Sequence, residues 1–163
     1  MNQITDNIWL GNLDSAKDIN CLKKENIKKV LTVMESNYPN YNKNDNIIQK
    51  VLKIKDSPLA NIIKYFGEVL NFIEGKDKIL IHCMAGISRS SSFVIAYLMW
   101  NKKISYEDAL NIVYNKRPYV FPNFGFREQL KMFDKLLKDN QYDINKIDFN
   151  NIKKQGKSIY FEW

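Results

Sequence analysis

One run of the chain sets a reactive thiol, a flexible turn and a guanidinium at close spacing: Ile79-Leu80-Ile81-His82-Cys83-Met84-Ala85-Gly86-Ile87-Ser88-Arg89-Ser90-Ser91-Ser92. It reads as a buried strand, a small-residue turn and the start of a long apolar helix. Ligands of open parallel sheets sit beyond the carboxyl ends of strands, where the next helix offers free N–H groups and the positive end of its dipole. A loop curled there becomes a nest of backbone donors that fits a tetrahedral dianion. Gly86 supplies backbone freedom, and Ala85 keeps side-chain bulk out of the cradle. Met84, Ala85, Gly86, Ile87, Ser88 and Arg89 are therefore the candidate phosphate-binding residues. Cys83 stands at the mouth, where an electropositive helix terminus favours the thiolate, a strong nucleophile toward phosphorus. Arg89 can give two parallel N–H bonds to two phosphate oxygens, a geometry lysine lacks. Ser90 can hydrogen-bond the sulfur and ease its departure from a phosphocysteine.

Other elements must position this loop. Ile8-Trp9-Leu10-Gly11 predicts a short strand, Asp14 to Glu25 a polar helix, and Lys29 to Met34 a buried strand. Glu35 to Asn46 reads as loop, and Ile47-Ile48 with Val51 to Ile54 as one or two further strands. Ser57 followed by Pro58 predicts a helix start. Ile62, Ile63, Phe66, Val69, Leu70 and Ile73 continue that helix at its spacing, and Gly75 closes it. A nearly all-apolar helix is expected from Ser88 to Trp100. Ser105 with Asp108 resembles a capping box for a helix through Asn115, and Phe126, Leu130, Phe133 and Leu137 mark the last one. Alternating strands and helices of this kind specify one α/β domain, residues 1–140, with a central, mostly parallel sheet flanked by helices. Residues 141–163 form a polar, lysine-rich extension that either folds back or acts as a tail.

The loop and its surroundings resemble the dual-specificity phosphatase family. His82 to Ser90 is similar to its signature His-Cys-x-Ala-Gly-x-Ser-Arg-Ser. Ile8-Trp9-Leu10-Gly11, Ala96-Tyr97-Leu98-Met99, and Arg117 with Pro122-Asn123-Phe124-Gly125-Phe126 and Gln129-Leu130 resemble further segments, so that the likeness runs from about residue 4 to 138. It implies hydrolysis of phosphotyrosine, phosphoserine and phosphothreonine in proteins through a phosphocysteine, with no cofactor. It also implies Asp56 as general acid, on the loop ahead of the Phe66 helix, protonating the leaving oxygen and then activating water. By the same resemblance His82 orients the loop and favours the thiolate through hydrogen bonds without acting as a base, a purely structural role being the alternative, and Asn123 helps to fix the loop. Arg117 is either a structural ion-pair partner or a contact for an acidic or second phosphorylated substrate residue.

The remaining signals bound the function. Two cysteines, Cys21 and Cys83, are too few for a disulfide framework, so a reducing cytosol or nucleus is expected, with Cys21 a packing residue. One histidine and two distant cysteines cannot supply the usual ligand set of a metal site. No apolar run approaches the roughly 20 residues of a membrane helix. The start Met1-Asn2-Gln3 and the end Phe161-Glu162-Trp163 carry no targeting or lipidation signal, so none is expected. The net charge of +7 is compatible with RNA or phosphoinositide substrates. Its lysines are dispersed as on a solvated surface, and no lysine lies between Cys83 and Arg89, so phosphorylated proteins are the expected partners and nucleic acid is not. A phosphoprotein-binding protein without turnover is the non-enzymatic alternative. Gly156-Lys157-Ser158 echoes a nucleotide loop but lacks its earlier glycine.

Overall fold

Strands that are apolar at consecutive positions lie inside the sheet, and strands with polar positions lie at its edges. The computed structural model describes residues 1–152. In chain order its elements are β1 (Asn2–Gln3), β2 (Ile8–Gly11), α1 (Leu13–Lys17), α2 (Ile19–Lys24), β3 (Ile27–Val33), β4 (Ile48–Leu52), α3 (Phe66–Ile73), β5 (Lys78–His82), α4 (Arg89–Lys102), α5 (Tyr106–Lys116) and α6 (Phe124–Asp139). Among the described residues they form a five-stranded sheet of order β1-β2-β5-β3-β4. All its pairings are parallel except β1 with β2. The sheet is covered on both faces, which is why its inner strands show no polar alternation.

Each inner strand divides its side chains between two cores. Ile8, Leu10, Leu31, Val33, Ile79 and Ile81 face α3 to α6, whereas Trp9, Val30 and Leu80 face Ala16 of α1 and Leu22 of α2. Helix α4 is buried along residues 90–99 because it packs against the sheet, α3, α5 and α6 together. A helix in that position must be apolar all round. Central strand β5 pairs Ile81 with both Leu10 and Leu31, and His82 with Gly11 and Thr32. The loop from Cys83 therefore leaves the carboxyl end of the middle strand and enters the helix at the centre of the fold.

Two expectations change and one narrows. The helix expected over Asp14 to Glu25 is two helices, because Asp18 adopts ψ 80 and its carboxylate accepts the Cys21 N–H at 2.9 Å, starting a new one. Residues 47–54 give one strand, β4. The helix expected from Ser57-Pro58 begins later, with a 3-10 turn at Ile63–Tyr65 leading into α3. The N–H groups of Ile62 and Ile63 are satisfied not by Ser57 but by the side-chain oxygen of Gln129, at 2.8 and 3.1 Å.

The polar stretch after residue 140 lies back on the main core. Trp100 Nε1 donates to the Tyr142 carbonyl at 3.1 Å, Ile144 and Ile147 are buried, and the Phe149 ring lies 6.0 Å from that of Phe133. Gly67 makes room for it, since a Cβ there would come within 2.8 Å of the Phe149 ring. Gly156-Lys157-Ser158 and the apolar Ile159-Tyr160-Phe161 lie outside the described residues. No described helix is long and apolar enough to cross a membrane.

Ile147→Ala is expected to lower the free energy of unfolding by about 2–4 kcal/mol, the usual cost of truncating a buried isoleucine. Urea denaturation of the two proteins measures it. An unshifted midpoint would mean that this segment contributes nothing to the fold.

Candidate active site

Cys83 follows β5 and is buried, with its Sγ accepting the Gly86 N–H at 3.3 Å and the Ser90 hydroxyl at 3.1 Å. Every carbonyl from Cys83 to Ser88 is engaged by a donor. His82 Nδ1 lies 3.3 Å from the Cys83 oxygen, and the Leu13 N–H reaches that of Met84 at 3.1 Å. Arg117 donates through Nη2 to Ala85 at 3.2 Å and through Nε to Gly86 at 2.9 Å. The Phe121 N–H and the Ser91 hydroxyl take Ile87, and the hydroxyls of Ser91 and Ser92 take Ser88. Because a trans peptide sets its N–H opposite its carbonyl, oxygens anchored in the protein leave the intervening N–H groups to line the mouth. Among the described residues no acceptor is found for the N–H of Ala85, Ile87 or Ser88. Gly86 adopts φ +67, and a Cβ on it would lie 2.5 Å from both Arg117 Nη2 and the Gly11 oxygen. Met84 is half-exposed at the rim.

Arg89, at the first position of α4, donates through Nη1 to the Ile54 carbonyl at 3.1 Å. Its Nε is buried and has no hydrogen-bond partner among the described residues. Buried donors are nearly always satisfied. One side of the guanidinium is thus anchored while a second donor awaits an acceptor from a ligand.

Asp56 is exposed on the segment after β4. Its Oδ1 accepts the Ser88 hydroxyl at 2.7 Å and Asn123 Nδ2 at 2.8 Å, and Ser88 Oγ accepts the Asn123 N–H at 3.0 Å. This explains why Ser88, the residue preceding α4, does not cap that helix with its side chain. Both bonds fall on Oδ1, so Oδ2 is available to carry a proton. The structure therefore brings Cys83, Arg89, Asp56, Ser90 and Asn123 to one mouth. Asn123 touches both the loop and Asp56, and its side-chain oxygen also caps α6 through the Phe126 N–H at 3.0 Å.

His82 is wholly buried beside the nucleophile. The Cys83 carbonyl can only accept, so Nδ1 carries the proton, and Nε2 accepts from Thr32 Oγ1 at 2.8 Å. Thr32 Oγ1 in turn accepts from Gln49 Nε2 at 3.0 Å, which also donates to the Pro39 carbonyl at 2.9 Å. Burial pushes the histidine down from 6.5 to about 4, partly opposed by its bond to the Cys83 carbonyl. It is neutral at physiological pH, and its Nδ1–H meets the Cys83 carbonyl.

Among the described residues Arg117 has no carboxylate partner. It is buried and meets backbone carbonyls, with Nη1 on Asn2 Oδ1 at 2.6 Å and the Tyr119 ring 4.5 Å from Cζ. Burial lowers its pKa below the ordinary arginine value, while Tyr119 and Cys83 act in the opposite sense. The contributions of Thr32, Gln49 and Gln129 were not anticipated. A lone hydroxyl residue in a buried strand, as at Thr32, was the available signal. Among the described residues no three His, Cys, Asp or Glu side chains form a metal-binding group.

The family model described as dual specificity phosphatase, catalytic domain, matches residues 8–136. A probable dual specificity protein phosphatase of Dictyostelium discoideum is 39% identical over 146 residues, 86% of this chain and 36% of that protein. Dual specificity protein phosphatase 22 of Homo sapiens is 34% identical over 139 residues, 83% of this chain and 74% of that protein. The chain thus spans little more than a third of the Dictyostelium relative's length. Among solved structures, the human tyrosine phosphatase-like serine/threonine/tyrosine-interacting protein superposes with a TM-score of 0.79 at 34% identity, over 85% of this chain and 97% of that one.

The neutral histidine makes stability depend on pH. Its folded pKa lies below its unfolded value, so the unfolded chain binds the extra proton between pH 6.5 and about 4. Stability is retained above pH 6.5 and lost as pH falls through that window, by about 3 kcal/mol in all. In urea titrations the stability advantage of wild type over His82→Asn should shrink by that amount between pH 7.5 and 4. A constant difference would mean that His82 is not held neutral.

Proposed function

From the premise that this chain belongs to the dual specificity phosphatase family, we propose that it hydrolyses phosphotyrosine, phosphothreonine and phosphoserine in proteins through a phosphocysteine at Cys83. The observation that carries the reading is a thiol and a guanidinium with an unpaired buried Nε on one nest of backbone donors.

The phosphate enters with its oxygens on the N–H groups of Ala85, Ile87 and Ser88 and on Arg89. Cys83 Sγ attacks phosphorus, forming the S–P bond as the P–O bond to the leaving group breaks, and Asp56 gives its proton to the departing oxygen. The Asp56 carboxylate then takes a proton from water, whose oxygen attacks phosphorus. The S–P bond breaks, inorganic phosphate leaves, and the Ser90 hydroxyl, 3.1 Å from the sulfur, steadies the returning thiolate. Catalysis is positioning and charge stabilisation around the transferred group, with no metal required. A reducing compartment, cytosol or nucleus, would keep the thiol competent.

Breadth follows from a low rim. Asp56 is exposed, Met84 is half-exposed, and the connection from β3 to β4 is short. Such a site admits the short phosphothreonine and phosphoserine side chains, with phosphotyrosine faster because phenolate leaves more easily than alkoxide.

Purified protein should release phosphate from phosphotyrosine and phosphothreonine peptides in the presence of chelator, the former faster, with weak action on phosphoinositides. Cys83→Ser should bind phosphopeptide without turnover, and Arg89→Lys should lose about 10²-fold or more in kcat/KM. Turnover by Cys83→Ser, or a metal requirement, would refute the mechanism. Triphosphorylated RNA cleaved far faster than any phosphopeptide would reassign the substrate. Phosphopeptide binding without turnover by the wild type would establish the non-enzymatic alternative.

Asp56→Asn should slow esters of poor leaving groups by about 10²–10⁴-fold and esters of acidic phenols much less. Initial rates on the two ester types decide it, and an equal fall in both would place the acid elsewhere.

A further inference from the structure

Asp56 lies between β4 and α3 on a stretch with no regular hydrogen bonding, and Lys55, Asp56, Pro58 and Leu59 around it are exposed. Ordering such a segment costs about 1–2 kcal/mol per residue in backbone entropy, so something outside it must hold it. That support is the amino-terminal half of α6.

Three residues on that half do different work. Asn123 bonds the Asp56 carboxylate directly. Gly125 lets the two backbones meet, since a Cβ there would lie 1.9 Å from the Pro58 carbonyl oxygen. Gln129 is wholly buried, and both ends of its amide bond the acid-bearing segment. Its Oε1 accepts the N–H groups of Ile62 and Ile63, and its Nε2 donates to the Ala60 carbonyl at 2.9 Å. Leucine would fill the same space without the cost of burying an amide. The amide is needed because those three backbone groups start α3 without a local cap.

We propose that Gln129 is a positioning residue for the general acid, fixing the backbone of residues 60–63 so that the preceding turn, seated on Gly125, delivers Asp56 to Ser88 and Asn123. The inference rests on the reading of Asp56 as the acid. Gln129 touches neither phosphate nor sulfur, and the loss of its amide would leave the phosphate loop in place while loosening the proton donor.

The test uses the full chain and a series of aryl phosphates running from para-nitrophenyl, which leaves unaided, to phenyl and methoxyphenyl. Gln129→Leu should lower kcat about 10- to 100-fold on the poor leaving groups, part of the full worth of a positioned acid. It should change kcat on para-nitrophenyl phosphate by less than about threefold, with inhibition by vanadate unaltered. Gly125→Ala, which displaces the turn and keeps the amide, should give the same split and decides the matter if Gln129→Leu does not fold. A merely structural role would instead lower all substrates together. Asp56→Asn is the reference. If it shows the split and the α6 variants do not, Gln129 is not a positioning residue although Asp56 remains the acid. If Asp56→Asn shows no split, both assignments fall.

Discussion

The carbonyl oxygens of residues 83–88 are the constraint on which the site depends. A loop with peptide oxygens facing its own mouth would repel a phosphate dianion. Here each oxygen is engaged by a donor, and the donors come from separate parts of the chain: α1 through Leu13, the segments after α5 through Arg117 and Phe121, β5 through His82, and α4 through its buried serines. The cradle is thus a property of the assembled domain. Arg117 holds the crossing point. Its guanidinium is buried with no carboxylate ion pair among the described residues, an unfavourable arrangement for a charge. The loop carbonyls, Asn2 Oδ1 and the Tyr119 ring compensate.

Around this cradle the fold divides positioning between two groups of elements. The sheet fixes Cys83, because β5, which it follows, is hydrogen-bonded on both sides, to β2 and to β3. The residue that caps helix α6 reaches Asp56, and Ser88 joins the two groups through one hydroxyl that donates to Asp56 and accepts from Asn123. A phosphate at Arg89 and a leaving group at Asp56 are therefore referred to a common point.

Much of this was legible in the sequence where side-chain chemistry or burial leaves a direct mark. The inner strands declared themselves because both faces are covered, and Cys83, Arg89 and Ser90 because one loop chemistry needs those types at those offsets. The start of α3 did not, since its cap is Gln129, remote in the chain, and the local Ser57-Pro58 pattern pointed to the wrong turn. The contacts of Arg117 to the loop were not legible because they are made to backbone carbonyls, which carry no residue identity. Strand β1 is too short to show a pattern, yet its Asn2 holds the same guanidinium. Ile144, Ile147 and Phe149 pack without helical or strand spacing, so the sequence left open whether this segment folds back or forms a tail, and it lies on the core.

The hydrogen bonds behind the nucleophile run in one direction, from Gln49 to Thr32 to His82 to the Cys83 carbonyl. Each group is donor to the next and acceptor from the last, so none can be exchanged alone without stranding a neighbour. Thr32→Val would leave His82 Nε2 without a donor and Gln49 Nε2 with the Pro39 carbonyl as its one remaining acceptor. Drift at β4, an exposed edge strand far from the phosphate mouth by sequence, is thereby tied to the residue beside the reactive sulfur. A substitution at this edge is therefore felt at the centre of the fold.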